Sequence, residues 1–441
     1  MVSTRTLFDG IRRFKWLPAL LLIIASFAYV GVKVPTHQQF SPYDEYVYLD
    51  YLDKVPTQLV VHEYEKVGDY ARNEISCRGV LNYGSFGQGC NVGSHNANVD
   101  YPYAGNTGAD IYSPAYFAVT WVFAQPLTWL GLDLLDAGRL VGALWLAAGL
   151  LLLYGAMREL GAGRAISVGI NLFVMMSSAI YWADTYLSTD APSLAISAGL
   201  LLMGIRIAKH KMRAIWLVPA AAIAVLFKVQ NLAAVVLVSL ALIGVSVWDR
   251  YRRSSPPPGR RGSYLRPVAM AMLAVVAGGV AQAGWLAIRT AIALPPVVTP
   301  GADLVIQRFD RVAMVTEGFK YLFKVGFSDI PSGVTSTVAT NVLAAIAIAG
   351  AIGLLVTHRV QSRISVSVAV AALVVSLLLG PALAGSTVIM TGQYFPLPIR
   401  YGIVLIPAFA VCAAVFFSRS RRLGAAFLVV GLAMAAVVIV V

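Results

Sequence analysis

The chain is poor in charge. Only 12% of its 441 residues are Asp, Glu, Lys or Arg, against about 25% in an ordinary soluble domain. With 58% hydrophobic residues, this excludes a soluble enzyme and a disordered chain. Three cysteines are too few for a secreted disulfide scaffold. There are five histidines, none at zinc spacing, and His62-Glu63 lacks the second His of a zincin helix. A divalent cation held by scattered carboxylates is compatible with the sequence, but no spacing specifies one. Acids are outnumbered 21 to 34 by Lys and Arg, for a net charge of +13. In a soluble chain that excess would suggest nucleic acid; its distribution along this one does not.

What the sequence has instead is apolar runs. A spanning helix needs roughly 20 mostly apolar residues. Candidates lie near 16–34, 113–131, 137–156, 164–182, 190–208, 214–228, 230–248, 267–288, 337–357, 364–384, 399–417 and 423–441. The first is long for a cleaved signal peptide and reads as a retained anchor. Five linkers are cationic: Met157–Arg164, Arg206–Arg213, Asp249–Arg266, His358–Arg363 and Ser418–Arg422. Lys and Arg favour the cytoplasmic side. All five share that side with the N-terminus only if the segment 113–131 lies flat on the outer surface. This predicts a single all-α transmembrane domain over 1–441 with about 11 spans in a plasma membrane and a cytoplasmic N-terminus. It leaves a first exterior loop at 35–136, with its flat helix near 113–131, and a second at 289–336. The positive excess is then an orientation signal, and the expected partner is a lipid bilayer, with no nucleic acid.

Cys77 and Cys90 both fall in the first exterior loop, where an oxidising medium favours a disulfide. Closing a loop of that size contributes roughly 3 kcal/mol in the chain-entropy model. Cys412 lies within a span and reads as a small core residue.

A few residues on the exterior side carry the chemistry. Asp44 and Glu45, in Ser41-Pro42-Tyr43-Asp44-Glu45-Tyr46, open a helix just above the bilayer. Asp190, in Ser188-Thr189-Asp190-Ala191-Pro192, opens a span on the same side; Asp184 is a weaker candidate. The ordinary alternatives are acids favouring a helix dipole and an N-cap. Lys228 and Arg400 sit at the outer ends of spans, against the charge trend. Isolated cations at membrane level are costly and often functional; the ordinary alternative is snorkelling to headgroups. The second loop sets Arg308, Arg311, Lys320 and Lys324 among Phe309, Phe319, Tyr321, Phe323 and Phe327, which reads as interfacial amphipathic helices or solvated surface helices. The Tyr/Asn/Gly-rich stretch Leu81–Asp110 fits either a carbohydrate surface or ordinary turn chemistry.

Four motifs in order resemble the GT-C superfamily of integral-membrane glycosyltransferases, which includes protein O-mannosyltransferases and aminoarabinose transferases. Asp44-Glu45 resembles its acidic pair in the first exterior loop. Ile111-Tyr112-Ser113-Pro114-Ala115-Tyr116-Phe117 resembles the start of its flat helix. Thr189-Asp190-Ala191-Pro192 resembles the acid of the second exterior turn. Pro398-Ile399-Arg400-Tyr401, running into Val404-Leu405-Ile406-Pro407, resembles its late Arg-Tyr segment. The likeness covers roughly residues 16–417. Two departures are the Val-Gln-Asn that follows Lys228, where bacterial members often have Gly-Pro, and the lack of a large C-terminal soluble domain.

The resemblance implies a GT-C-like bundle and transfer of a sugar from a polyprenyl-phosphate donor to an acceptor hydroxyl outside the membrane. The acceptor would be an envelope glycan, a glycolipid or a protein. It implies Asp44 as general base, with Glu45 the alternative, Asp190 as the acid that orients the base or binds acceptor or metal, and Lys228, Arg400 and Tyr401 at the donor phosphate. One base and direct displacement imply inversion at the anomeric carbon. Arg outnumbers Lys 25 to 9. That fits a high-GC bacterium and a decaprenyl-phosphate donor carrying arabinofuranose or mannose, in cell-wall biogenesis. The rival readings are a polysaccharide polymerase or ligase using a lipid-linked oligosaccharide, and a lipid-linked-sugar flippase. A flippase favours mid-bilayer charges and repeated halves, and neither is evident.

Overall fold

Backbone polar groups in hydrocarbon must be satisfied within their own segment, so apolar runs of spanning length become helices. The computed structural model describes residues 16–90, 98–252, 262–295, 311–391, 394 and 396–440. Its helices are α1 (Leu17–Lys33), α2 (Glu45–Gln58), α3 (Asp69–Arg78), α4 (Ala115–Trp129), α5 (Leu134–Leu140), α6 (Gly142–Glu159), α7 (Arg164–Met175), α8 (Ser178–Asp184) and α9 (Ala191–Ala208). They continue as α10 (Leu217–Phe227), α11 (Asn231–Arg252), α12 (Gly262–Ala291), α13 (Arg311–Phe323), α14 (Val334–Val356), α15 (Arg363–Thr391), α16 (Ile406–Phe417) and α17 (Arg421–Val440). Among the described residues, β pairing is limited to isolated bridges.

The protein is an all-α multi-pass membrane protein. Nine helical segments among the described residues are long and apolar enough to cross a bilayer. A tenth candidate is the bent pair α7–α8, and the shorter apolar run Ala214–Phe227 makes an eleventh segment. Outward helix faces carry exposed apolar side chains, among them Ile24, Phe27, Val276, Val280, Leu378 and Val429, as expected of surfaces that meet lipid rather than water. The segment 113–131 becomes α4, only 15 residues long, which packs on α2 and α5.

The straight span expected near 164–182 is instead bent by 66° between α7 and α8. Backbone groups freed at the break find partners from elsewhere. Ser178 N donates to Thr340 Oγ1 at 2.8 Å, and Ala179 N donates to Gly326 O at 2.9 Å. Small residues bring helices close. A Cβ on Gly142 would lie 1.9 Å from Asp184 O, and one on Gly169 would lie 2.6 Å from the Phe427 backbone.

Residues of the first loop form a lobe with an aromatic core, including Phe40, Tyr46, Tyr48, Tyr51, Tyr101, Tyr116 and Phe117. Cys77 and Cys90 are joined in a disulfide at its edge. The lobe docks on α12. Arg289 Nε donates to Asp110 Oδ2 at 2.6 Å and its Nη2 lies 2.9 Å from Glu63 Oε1. Trp285 Nε1 donates to Ile111 O at 3.0 Å. In the second loop, α13 packs on α15 and turns Val312, Val315, Phe319 and Phe323 outward. Arg308 and Phe309 lie outside the described residues, as do the basic residues before Trp16 and most of the linker Ser254–Ser263.

Candidate functional site

The α8–α9 turn, the end of α10, the start of α2 and the 3-10 segment Ile399–Leu405 bring four charges to one end of the bundle. Asp190 occupies the N-cap position of α9 but makes no capping bond. Its oxygens are used elsewhere: Lys228 Nζ donates to Oδ1 at 2.6 Å and Arg400 Nε to Oδ2 at 3.2 Å. Lys228 also donates to Thr189 Oγ1 at 3.0 Å. Its ammonium lies over the rings of Tyr112 and Tyr401, at 5.5 and 5.3 Å from their centroids. The Lys228 side chain is 0% exposed, so it does not snorkel.

Depth follows from the length of α10. With its leading turn the apolar run covers Ala214–Phe227. At 1.5 Å per residue that is roughly 20 Å, short of the ~30 Å hydrocarbon layer. Lys228, at the end of this short run, is buried within the bundle, where a charge needs partners. The polar cluster supplies them.

Arg400 continues the cluster outward. Its guanidinium stacks on Tyr43, 3.9 Å from the ring centroid, and Nη2 lies 3.7 Å from Asp44 Oδ2. Asp44 is the N-cap residue of α2, again without a capping bond, and has φ +63°. Asp tolerates this left-handed conformation better than most residues. Tyr103 hydroxyl donates to Asp44 Oδ1. Burial first, and then the Asp44 carboxylate, push the Tyr103 phenol well above its ordinary range, so it stays a donor at neutral pH. Tyr103 and Ala104 also have positive φ, +57° and +50°. Strain of this kind gathers where a surrounding structure fixes a functional contact. The Asp44 side chain is 33% exposed, against 4% for Asp190 and 8% for Arg400, so Asp44 is the open end of the relay.

Glu45 does not join this group. It is fully buried and accepts four hydrogen bonds. Arg139 Nε and Nη2 donate at 2.8 and 2.9 Å, Ser41 N at 2.7 Å and Leu187 N at 2.8 Å. Arg139 spends its remaining donors on His37 O at 2.8 Å, Gln39 O at 2.9 Å and Asp136 Oδ1 at 3.3 Å. The adjacent acids therefore part. One faces the opening; the other is a buried clamp with no lone pair left for an acceptor. Asp184 is buried too, with neither oxygen hydrogen-bonded, and is not part of the relay.

Tyr43, Tyr112 and Thr189 stand in the motifs quoted above, but no role was read for them there; Arg139 and Tyr103 were not marked at all. Of these two, Arg139 carried a signal, as a cation at the outer end of a span. Among the described residues no group of three or more His, Cys, Asp and Glu is placed to hold a metal ion.

The clamp has a pH consequence. His37 Nε2 is 2.9 Å from Thr185 Oγ1, and its ring stacks on Tyr186 at 4.0 Å. Burial, then Arg139 and Lys33, push His37 down to about 3. It is neutral when folded, whereas an unfolded histidine takes a proton near pH 6.5. Its contribution to stability is complete above that pH and is lost as pH falls toward 3, at up to about 1.4 kcal/mol per unit. The unfolding temperature is expected to drop between pH 7.5 and pH 5. His37→Gln is expected to flatten that slope; an unchanged slope would refute the assignment.

No known protein-family model matches the chain, and no curated protein matches it.

Proposed function

We propose that this protein is a membrane glycosyltransferase. It moves a sugar from a polyprenyl-phosphate donor to an acceptor hydroxyl on the extracytoplasmic face of the plasma membrane, in envelope glycan synthesis. One observation carries the reading. Two acids at helix N-termini give up capping and are held instead on a sunken Lys228–Arg400 pair, and only Asp44 opens outward.

The reaction asks little else of the protein. The acceptor oxygen attacks the anomeric carbon, its proton passes to the Asp44 carboxylate, and the bond from the anomeric carbon to the phosphate oxygen breaks. Phosphate is a competent leaving group, so no strong general acid is required. Charge growing on the lipid phosphate is met by Arg400 and Lys228 with Tyr401 beneath them. Asp190 holds both cations in place. Attack opposite the leaving phosphate inverts the anomeric centre. Glu45, saturated by Arg139 and two amides, takes no part as a base in this scheme.

Arg400→Ala tests the phosphate role. A charge-assisted hydrogen bond is worth about 1.5–3 kcal/mol, so affinity for polyprenyl phosphate in lipid nanodiscs is expected to fall tenfold or more. Unchanged affinity would remove Arg400 from the donor site. Lys228→Met is expected to do the same and to lower the unfolding temperature, because it strands Asp190 without its closest partner.

A further inference from the structure

A cavity of about 180 Å³ lies in the loop lobe, walled by Tyr46, Tyr83, Phe86 and Tyr103, with Ser41 and Asp44 at its polar edge. Asp44 belongs to both the cavity and the charge relay, whereas Asp190, Lys228 and Arg400 do not line it. We propose that this cavity is the acceptor subsite and that it receives a single sugar ring. The proposal rests on the reading of Asp44 as the base.

Three observations argue for this occupant. The first is the wall chemistry. A furanose or pyranose ring has an apolar C–H face and a hydroxyl edge, and it matches a pocket with aromatic faces on its sides and a carboxylate at one edge. Tyr83 is 70% exposed, which places a large aromatic surface in water beside the cavity; Tyr103 is held at its hydroxyl end against Asp44 and keeps part of its ring exposed.

The second is size. The volume of about 180 Å³ suits one ring, and an extended peptide would not be enclosed by it. Glu45 also borders the cavity, but its carboxylate is fully buried and saturated by Arg139, Ser41 N and Leu187 N. A hydroxyl entering here therefore meets Asp44 as its acceptor. Tyr103, which already donates to Asp44 Oδ1, stands beside that position.

The third is preorganisation. Val80, Tyr83 and Phe86 of the wall lie within the segment closed by the Cys77–Cys90 disulfide. The same segment is pinned to the start of the lobe: Phe40 N donates to Gly79 O at 2.9 Å and Leu81 N donates to Phe40 O at 3.0 Å. Gly87 N donates to Asp100 O at 3.1 Å. Fixing the wall before the ligand arrives lowers the ordering cost of binding.

Saturation-transfer NMR on the full chain in nanodiscs tests this without requiring turnover. The probes are methyl α-mannopyranoside and methyl α-arabinofuranoside, the octyl glycosides of both, and a short Ser/Thr peptide. Glycosides are expected to receive saturation, and Tyr83→Ala with Phe86→Ala is expected to raise their dissociation constants at least tenfold. Polyprenyl-phosphate affinity, measured on the same double variant, is expected to stay at the parent value and so report its folding, while the unfolding temperature falls modestly because Phe86 packs on the aromatic core of the lobe. Tighter binding of octyl than methyl glycosides would identify a glycolipid acceptor, and equal binding a free glycan; both support a sugar-ring subsite. Saturation of the peptide alone, or glycoside binding undiminished in a folded double variant, would overturn it. The transferase reading fails separately: glycoside binding that persists in a chain whose Asp44→Asn variant transfers normally would leave a sugar site without a base.

Discussion

Replacing Asp44 by Asn is expected to lower sugar transfer by about 10²- to 10⁴-fold, the range supplied by a positioned general base. Donor affinity and unfolding temperature are expected to change little. Asn is a clean probe for two reasons. It has the shape of Asp, and it tolerates the left-handed backbone at position 44 about as well. Asp44→Ala would add conformational strain to the loss of the carboxylate and blur the result. The amide can still accept the Tyr103 hydroxyl, but it cannot take a proton from an incoming acceptor. The measurement is the rate of transfer at saturating donor and acceptor. A rate within a few-fold of the parent would sink Asp44 as the base, whatever became of the phosphate site.

Two residues of the relay were legible because they break a trend: the charge pattern of the sequence puts Lys228 and Arg400 on the side that positive charge avoids. Asp44 and Asp190 were legible only as acids at helix starts on that same side, where an ordinary cap would also stand. Their grouping was not legible. It depends on the bend between α7 and α8, which carries the turn at 185–190 into place. That bend is stabilised by Thr340 and Gly326, far away in sequence and with no local signature. The split between Asp44 and Glu45 was also hidden. Adjacent acids on an amphipathic helix look equivalent until the partner of one is known, and the partner of Glu45 is Arg139, 94 residues away. Arg139 broke the same charge trend as Lys228 and Arg400, near the start of the span at 137–156, so its signal was present in the sequence. Tyr103 carried none. Its reach to Asp44 is set by two consecutive left-handed residues in a turn, a conformation that neither Tyr nor Ala announces.

Glu45→Gln is expected to fail in the opposite way from Asp44→Asn. The Glu45–Arg139 pair is fully buried at 0% exposure on both sides, and breaking such a pair from one side costs about 3–5 kcal/mol because a charge is left without its counterion. Gln makes matters worse locally. Four donors converge on the two carboxylate oxygens, so the amide nitrogen must face at least one N–H. Arg139 keeps the His37 and Gln39 carbonyls and the longer ion pair to the partly exposed Asp136, which offset only part of the loss. Two of the four donors set geometry: Ser41 N fixes the turn that leads to Asp44, and Leu187 N fixes the turn that leads to Asp190. Loosening Glu45 therefore loosens both acids of the relay at once. The expected result is a lowered unfolding temperature together with reduced transfer, and the activity recovers in part on cooling. Arg139→Gln is expected to show the same pair of effects, and the double variant less than their sum, since the two residues act as one unit. If Glu45→Gln instead abolished transfer at an unchanged unfolding temperature, Glu45 would be the base and the division of labour argued for the two acids would be reversed.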